Sequence, residues 1–421
     1  MNGTKNKGGA ERERRLIWPG KKRQPLNPLP PEEPSYLIHT SEGEDERLCR
    51  LYYADNLPVM REFLGDPEVA GKVTLIYLDP PLQGSGFFSK EGSLIKGNDF
   101  LSFLHPRLIA AYELLGPQGS LYLQISQEML FEAKLLLDEI FGPWNFRNLI
   151  TRQTRSRKNY TKNQFGNVTD YLLFYTKGEN YIWNRCYEPW SQEAEEREYP
   201  NLEPLTGRRY KTVPLHAPGK RGGETGKVWR GKLPPAGKHW QFTPEKLDAL
   251  DLAGKLYWSK NGNPRRKIYL DESPGIPANN IWKGFPEFTN QHSKTTGYPA
   301  EKDLGLMRRL VQASSNPGDL ILDPFCGSGA FLEAAEDLNR VWIGIDENPR
   351  AIEITIQRLL SGLRFAEQIK NPQTEPWWIA EDPITKKRLD FSSTVDLFAS
   401  TETDEQKRGE LCSLFNLKPT V

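Results

Sequence analysis

Apolar and polar positions divide this chain of 421 residues into two patterned stretches separated by one of a different kind. The run VTLIYL at 73–78 is apolar without alternation and leads into Asp79, Pro80 and Pro81. Such runs belong to strands buried on both faces, as in a parallel sheet covered by helices. HPRLIAAYELL then has helical spacing and is stopped by Gly116 and Pro117. SLYLQIS reads as the next strand and EMLFEAKLLLDEIFG as an amphipathic helix. Upstream, LCRLYYAD reads as a strand entering a helix with Leu57, Met60 and Phe63, so order is expected from about Leu48. After Tyr298 the alternation returns, with EKDLGLMRRLVQAS, GAFLEAAEDL and PRAIEITIQRLL as helices and DLILD and VWIGID as strands. Strands alternating with helices of this length predict βαβ units and an α/β fold with a mostly parallel sheet.

The two stretches are read as halves of one core, 36–185 and 291–365. Residues 186–290, rich in Gly, Pro, Lys, Arg and Trp, are expected to form a loop-rich insertion. Residues 1–35 are basic and then proline-rich (PLNPLPPEEP), a pattern expected of a disordered arm. The tail at 366–421 discloses no role.

Composition narrows the class. Hydrophobic content of 37% and charged content of 26% fit a globular chain. No apolar run approaches the roughly 20 residues that span a bilayer. The first residues carry charges where a signal peptide needs its apolar centre, so a cytoplasmic location is expected, with no membrane partner. Cys49, Cys186, Cys326 and Cys412 lie far apart, which gives neither a metal site nor a disulfide framework. The net charge of +1 hides a local imbalance. Residues 201–270 hold 15 Lys and Arg against 5 Asp and Glu, a concentration that favours a nucleic-acid partner.

Candidate chemistry sits at two strand ends. In DLILDPFCGSGAFLEAA, Asp323, Phe325, Gly327, Ser328 and Gly329 stand where a buried strand turns into a helix. Glycines there admit close approach of a ligand, and the helix start offers free N–H groups. Asp346 ends the next strand, 23 residues after Asp323, at a distance that suits ribose hydroxyls. Neither a dinucleotide glycine pattern nor a P-loop is present. The second site is LIYLDPPLQGSGFF, where a carboxylate and two prolines form a stiff loop with free carbonyls. Asp79 and the Pro80 carbonyl suit the two protons of an exocyclic amino group, a poor nucleophile that alignment with a methyl donor can activate.

These stretches resemble motifs of the bacterial DNA amino-methyltransferases. DPFCGSGAFLEAAEDLNRVWIGIDENP resembles their cofactor motif, and TTGYPAEKDLGLMRRLVQASSNPGDL their adjoining Tyr-Pro-Thr-Glu-Lys-Pro motif. DPPL resembles their catalytic Asp-Pro-Pro-Tyr, with Leu82 in place of the aromatic residue that stacks on a flipped base. Phe87 or Phe88 would substitute for it, or both are core. The catalytic motif precedes the cofactor motif, the order of the beta class, which includes modification subunits of restriction systems. The resemblance covers about residues 48–365.

It implies a Rossmann-like methyltransferase fold with an inserted target-recognition region. S-adenosylmethionine is the implied cofactor, bound by Asp323, Phe325, Gly327, Ser328, Gly329 and Asp346, with Tyr298 and Lys302 closing the site. Asp55 resembles the family's acid near the adenine, and a helix N-cap explains it nearly as well. Asp79, Pro80, Pro81 and Leu82 form the implied catalytic loop. The implied reaction is methyl transfer to a base amino group in duplex DNA, with adenine N6 favoured over cytosine N4 because the motif begins with Asp. A DNA- and cofactor-binding homologue that methylates weakly stands beside this reading, motivated by Leu82, as does an RNA acceptor. Arg152 and Lys162 offer charge for phosphate contact beside Arg155, Arg157, Lys158, Arg208, Arg209, Lys220, Arg221 and Arg230, the candidate DNA contacts. A restriction nuclease subunit and a second copy of the chain are partners that the resemblance permits.

Overall fold

A computed structural model of the chain describes residues 18, 21, 36–40, 49–81, 97–154, 163–260, 262–285, 296, 298 and 301–361. Contacts divide it into two units, one built from residues 1–184 and 279–421 and the other from 185–278.

The first unit is organised by a nine-stranded sheet among the described residues. In chain order its strands are β1 (Tyr36–Thr40), β2 (Cys49–Tyr53), β3 (Val73–Leu78), β4 (Leu115–Ile125), β5 (Phe146–Gln153), β6 (Thr169–Thr176), β7 (Ile281–Trp282), β8 (Leu320–Asp323) and β9 (Val341–Asp346). Their spatial order is β1-β2-β9-β8-β3-β4-β6-β5-β7. The run from β2 to β4 is parallel throughout, β1, β6 and β5 add antiparallel pairings, and β7 runs parallel to β5.

The unbroken apolar run of β3 has a direct cause. Ile76 and Leu78 pack into one hydrophobic layer, while Leu75 and Tyr77 pack into the other. Helices α1 (Asn56–Phe63), α2 (Gly97–Leu114) and α3 (Leu130–Phe141) supply the first layer. Helices α4 (Leu304–Ser314), α5 (Ala330–Asp337) and α6 (Pro349–Ser361) supply the second. With both faces covered, alternating side chains find apolar surroundings on either side.

Three expectations need correction. Trp18, in the arm expected to be disordered, is 5% exposed; its indole N–H donates to Ser102 Oγ at 2.9 Å, and Lys21 pairs with Glu139 at 2.6 Å. Order begins before Leu48, because Tyr36–Thr40 pairs with β2. The insertion ends short of residue 290, because Ile281 and Trp282 pair with Thr151 and Arg152 in the main sheet. The tail at 366–421 lies outside the described residues.

The second unit holds a four-stranded antiparallel sheet of Asn201–Leu202, Arg209–Pro214, Pro264–Tyr269 and Leu256–Trp258. Its small core gathers Leu215, Trp229, Trp240, Leu247 and Leu256. Among the described residues, no helix is long and apolar enough to cross a membrane.

Candidate active site

Parallel strands end together, so their last residues share one sheet edge. Asp55 follows β2, Asp346 ends β9, Asp323 ends β8, Asp79 follows β3 and Ser126 follows β4. All five line one cavity of about 480 Å³ within the first unit. Ligands of open α/β sheets bind at this edge.

On the β8 side, the turn is tied by its backbone. Gly327 N–H donates to Asp346 Oδ2 at 2.8 Å, and Cys326 N–H to the Ile345 carbonyl at 3.1 Å. Thr355 Oγ1 donates to the Gly327 carbonyl at 3.0 Å. Gly327 and Gly329 have φ of +53° and +73°, and a Cβ on Gly329 would stand 2.7 Å from Thr355 Oγ1. Both positions therefore require glycine for conformation, and Gly329 also for space. Tyr298 packs over the turn, 3.3 Å from where a Gly327 Cβ would lie, and Phe325 and Ser328 line the cavity beside it.

Burial pushes the Asp346 carboxyl up to about 6, against the pull of N–H groups from Asn348 and Gly327. Asp323 is pushed well above the ordinary carboxyl range by burial, with Asp79 and Asp346 adding repulsion and the Phe325 N–H opposing. Cys326 is buried, and desolvation pushes its thiol up, as expected of a packed rather than a reactive cysteine.

Asp55 is both N-cap and cavity wall. Its Oδ1 accepts from Leu57 N–H at 2.9 Å and from Arg107 Nη2 at 2.8 Å. Arg107 also donates to Asn56 Oδ1 at 2.6 Å, and Asn56 Nδ2 to the Pro324 carbonyl at 2.6 Å. These bonds join the β2 and β8 turns. Arg107 further lies 3.6 Å over the Phe103 ring. Sequence reading missed Asn56, Phe103 and Arg107, for which only the helical spacing of Phe103 and Arg107 was a signal.

Beyond β3, Asp79 forms an ion pair with Lys302. The lysine expected to close the cofactor site thus stands on the acid of the Asp-Pro-Pro turn. Pro80 and Pro81 line the same cavity. Its next neighbour Glu301 is buried in an ion pair with Arg358, whose Nε donates to the Ser328 carbonyl at 2.6 Å. One short segment thereby braces both turns. The farther wall, from β3 through β4 and β6 to β5, carries Tyr77, Gln124 and Asp170, which the sequence did not single out, and Arg152, whose charge was expected on phosphate and is instead buried against Asp170.

Leu82, Phe87, Phe88, Arg155, Arg157, Lys158 and Lys162 lie outside the described residues. In the second unit, Arg208 pairs with Asp271 at 2.7 Å and also with Glu272, Arg209 with Glu196 at 3.7 Å, and Arg230 with Asp248 and Asp251. Lys220 and Arg221 are exposed. Over the folded unit, 185–278, the charge is 17 Lys and Arg against 12 Asp and Glu, so acids just outside 201–270 answer much of its excess. Trp229 and Trp240 are core residues there.

A family model described as DNA methylase, for the N6 and N4 methyltransferases, matches residues 73–357. The chain is 48% identical over 354 residues to the type II methyltransferase M.EcaI of Enterobacter cloacae, covering 82% of this chain and 77% of that protein. It is 26% identical to the Mod subunit of the type III restriction-modification enzyme StyLTI of Salmonella typhimurium, covering 72% of this chain and 52% of that protein. The solved complex of M1.HpyAVI with SAM aligns at 17% identity and a TM-score of 0.40, covering 74% of this chain and 98% of that one.

Proposed function

The chain belongs to the N6/N4 DNA methylase family, and from that premise we propose that it methylates the N6 amino group of an adenine flipped out of duplex DNA, with S-adenosylmethionine as donor. One observation carries the reading: the glycine turn of β8 and the Asp-Pro-Pro turn of β3 line a single cavity.

The residues present fit the cofactor. Gly327 lines the cavity without a side chain, Gly329 sets the conformation of the same turn, and Asp346 offers a carboxylate whose oxygens already face it. Asp346 would hold the ribose, Gly327, Ser328 and Gly329 the methionine part, and Asp55 the adenine side, with Asp323 and Phe325 shaping the floor and Tyr298 the cover. Bound there, the cofactor supplies an electrophilic methyl group.

The chain's own work is on the acceptor. An exocyclic amino nitrogen shares its lone pair with the ring and attacks poorly. Asp79 accepts one amino N–H and the Pro80 carbonyl the other, which favours a pyramidal nitrogen and fixes its direction. As positive charge grows on that nitrogen, the carboxylate stabilises it and takes the proton released. Lys302 holds Asp79 in place before the base arrives. The leading Asp of the Asp-Pro-Pro turn supports adenine over cytosine. Likeness to a type III Mod subunit supports a restriction nuclease partner and a cytoplasmic setting, and a paired chain is the assembly we favour.

The test is the nucleoside content of DNA from cells expressing the chain. N6-methyladenine is expected with the natural chain and none with Asp79→Ala. N4-methylcytosine would overturn the choice of base, and unmodified DNA would overturn the activity.

A further inference from the structure

The sheet order divides the cavity wall about β3. Strands β2, β9 and β8 lie on one side and carry the residues read above as the cofactor site. Strands β4, β6 and β5 lie on the other and leave their wall for the acceptor. Resting on that reading, we propose that Arg152 donates a hydrogen bond to the ring nitrogen beside the amino-bearing carbon of the flipped base, and so selects which base is accepted.

Arg152 and Asp170 face each other directly in the pairing of β5 with β6. Arg152 Nε donates to Asp170 Oδ1 at 2.8 Å and Nη2 to Oδ2 at 2.5 Å. Asp170 Oδ2 also accepts from Gln124 Nε2 at 2.7 Å, and Gln124 Oε1 accepts from the Tyr77 hydroxyl at 2.5 Å. The fork fixes the plane of the guanidinium and uses two of its three nitrogens. The third, Nη1, is buried and has no hydrogen-bond partner among the described residues. The arginine side chain is 3% exposed in the wall of the cavity.

A buried charged donor without a partner is costly, and most buried polar groups have one. Asp170 holds Arg152 so that it cannot turn to water. The arrangement is a donor set in advance for an acceptor that the described residues do not provide. Adenine and cytosine both present a bare ring nitrogen next to the carbon bearing the amino group. Guanine and thymine carry an N–H at that place, which would set donor against donor and exclude them.

The experiment uses the full chain and its own methylated site, mapped from the DNA of expressing cells. Duplex oligonucleotides carry adenine, 1-deazaadenine or 7-deazaadenine at the target, and kcat/KM is measured for the natural chain and Arg152→Met. Removal of N1 is expected to lower kcat/KM of the natural chain by about 10–100-fold, the range of a buried charge-assisted bond. Arg152→Met is expected to lose a similar factor on adenine and little more on 1-deazaadenine. Losing N7 should affect both proteins alike. Losses that multiply at N1, or coupling at N7 only, would overturn the proposal. Cofactor titration checks that Arg152→Met is folded, with unchanged affinity expected. If the variant does not fold, the natural chain decides alone: equal rates on adenine and 1-deazaadenine overturn the proposal. Should the mapped base be cytosine, the choice of adenine fails and 3-deazacytosine replaces 1-deazaadenine in the same comparison. Absence of any methylation sinks both this inference and the function it rests on.

Discussion

The two turns that line the cavity are held by different means. The glycine turn after β8 is held at three of its own backbone groups, Gly327 N–H by the Asp346 carboxylate, Cys326 N–H by the Ile345 carbonyl and the Gly327 carbonyl by the Thr355 hydroxyl. The Asp-Pro-Pro turn after β3 has its acid held by a side chain, Lys302, that arrives from more than two hundred positions along the chain. A turn held at three points, from β9 and α6, is set by the fold around it. An acid paired with a lysine can be released when a better partner enters. The contrast matches the tasks proposed: a standing cradle for a small cofactor, and an acid that must exchange a lysine for an amino group.

The comparison breaks most sharply at Gly329. Gly329→Ala places a methyl group against Thr355 in a left-handed conformation. A cost of about 2–5 kcal/mol is expected from strain and overpacking together. Denaturant unfolding should show it, with cofactor affinity lost in parallel. A stable variant that binds cofactor normally would mean the turn is not set by its backbone.

Lys302→Gln tests the other turn and should leave the first one intact. The expected outcome is a fall in kcat of about 10–100-fold, with the cofactor dissociation constant within about twofold. Single-turnover transfer and cofactor titration separate the two effects. Equal losses in both would return Lys302 to the cofactor side.

Asp346 gives a smaller effect with a defined pH window. Its folded carboxyl sits at about 6, above the ordinary 3.8. The folded state therefore holds this proton more tightly than the unfolded state. The stability gained is complete below about pH 4 and is lost as pH rises through 6, a change of up to about 3 kcal/mol. Unfolding measured across that range should show the slope, and Asp346→Asn should flatten it. In the role proposed for Asp346 cofactor binding runs the other way, because ribose hydroxyls would need the carboxylate. Affinity of the natural chain should fall about tenfold from pH 7.5 to 5.

The smallest effect belongs to the second unit. Lys220 and Arg221 are exposed, whereas Arg208, Arg209 and Arg230 are already ion-paired. Replacing Lys220 and Arg221 by Ala should reduce the salt slope of DNA binding by about 1–2 and leave cofactor binding unchanged. An unchanged slope would remove these two from the DNA surface.

What could be read from the sequence follows the same division. The glycine turn and the Asp-Pro-Pro turn are contiguous stretches whose residue types state their geometry, and the buried strands ahead of them read as apolar runs. The parallel α/β core was legible for that reason. The Lys302–Asp79 pair, the Arg107–Asn56–Pro324 link and the Arg152–Asp170 fork join residues far apart in the chain, and no local pattern announces them. Trp18 was hidden by the charged residues around it. The charge excess at 201–270 misled in part, because the folded unit includes the acidic helix Gln192–Glu198 and the Asp271–Glu272 pair.

In the function proposed, one sheet edge brings donor and acceptor together across β3. The most direct test of this is a crystal structure of the chain with its duplex site and a non-reactive cofactor analogue. The analogue is expected over the glycine turn and the flipped base over β4 and β6. The base amino nitrogen should lie on Asp79 and Pro80, about 3–3.5 Å from the atom that replaces the methyl carbon. A base seated anywhere that leaves Asp79 on Lys302 and away from the amino group would contradict it.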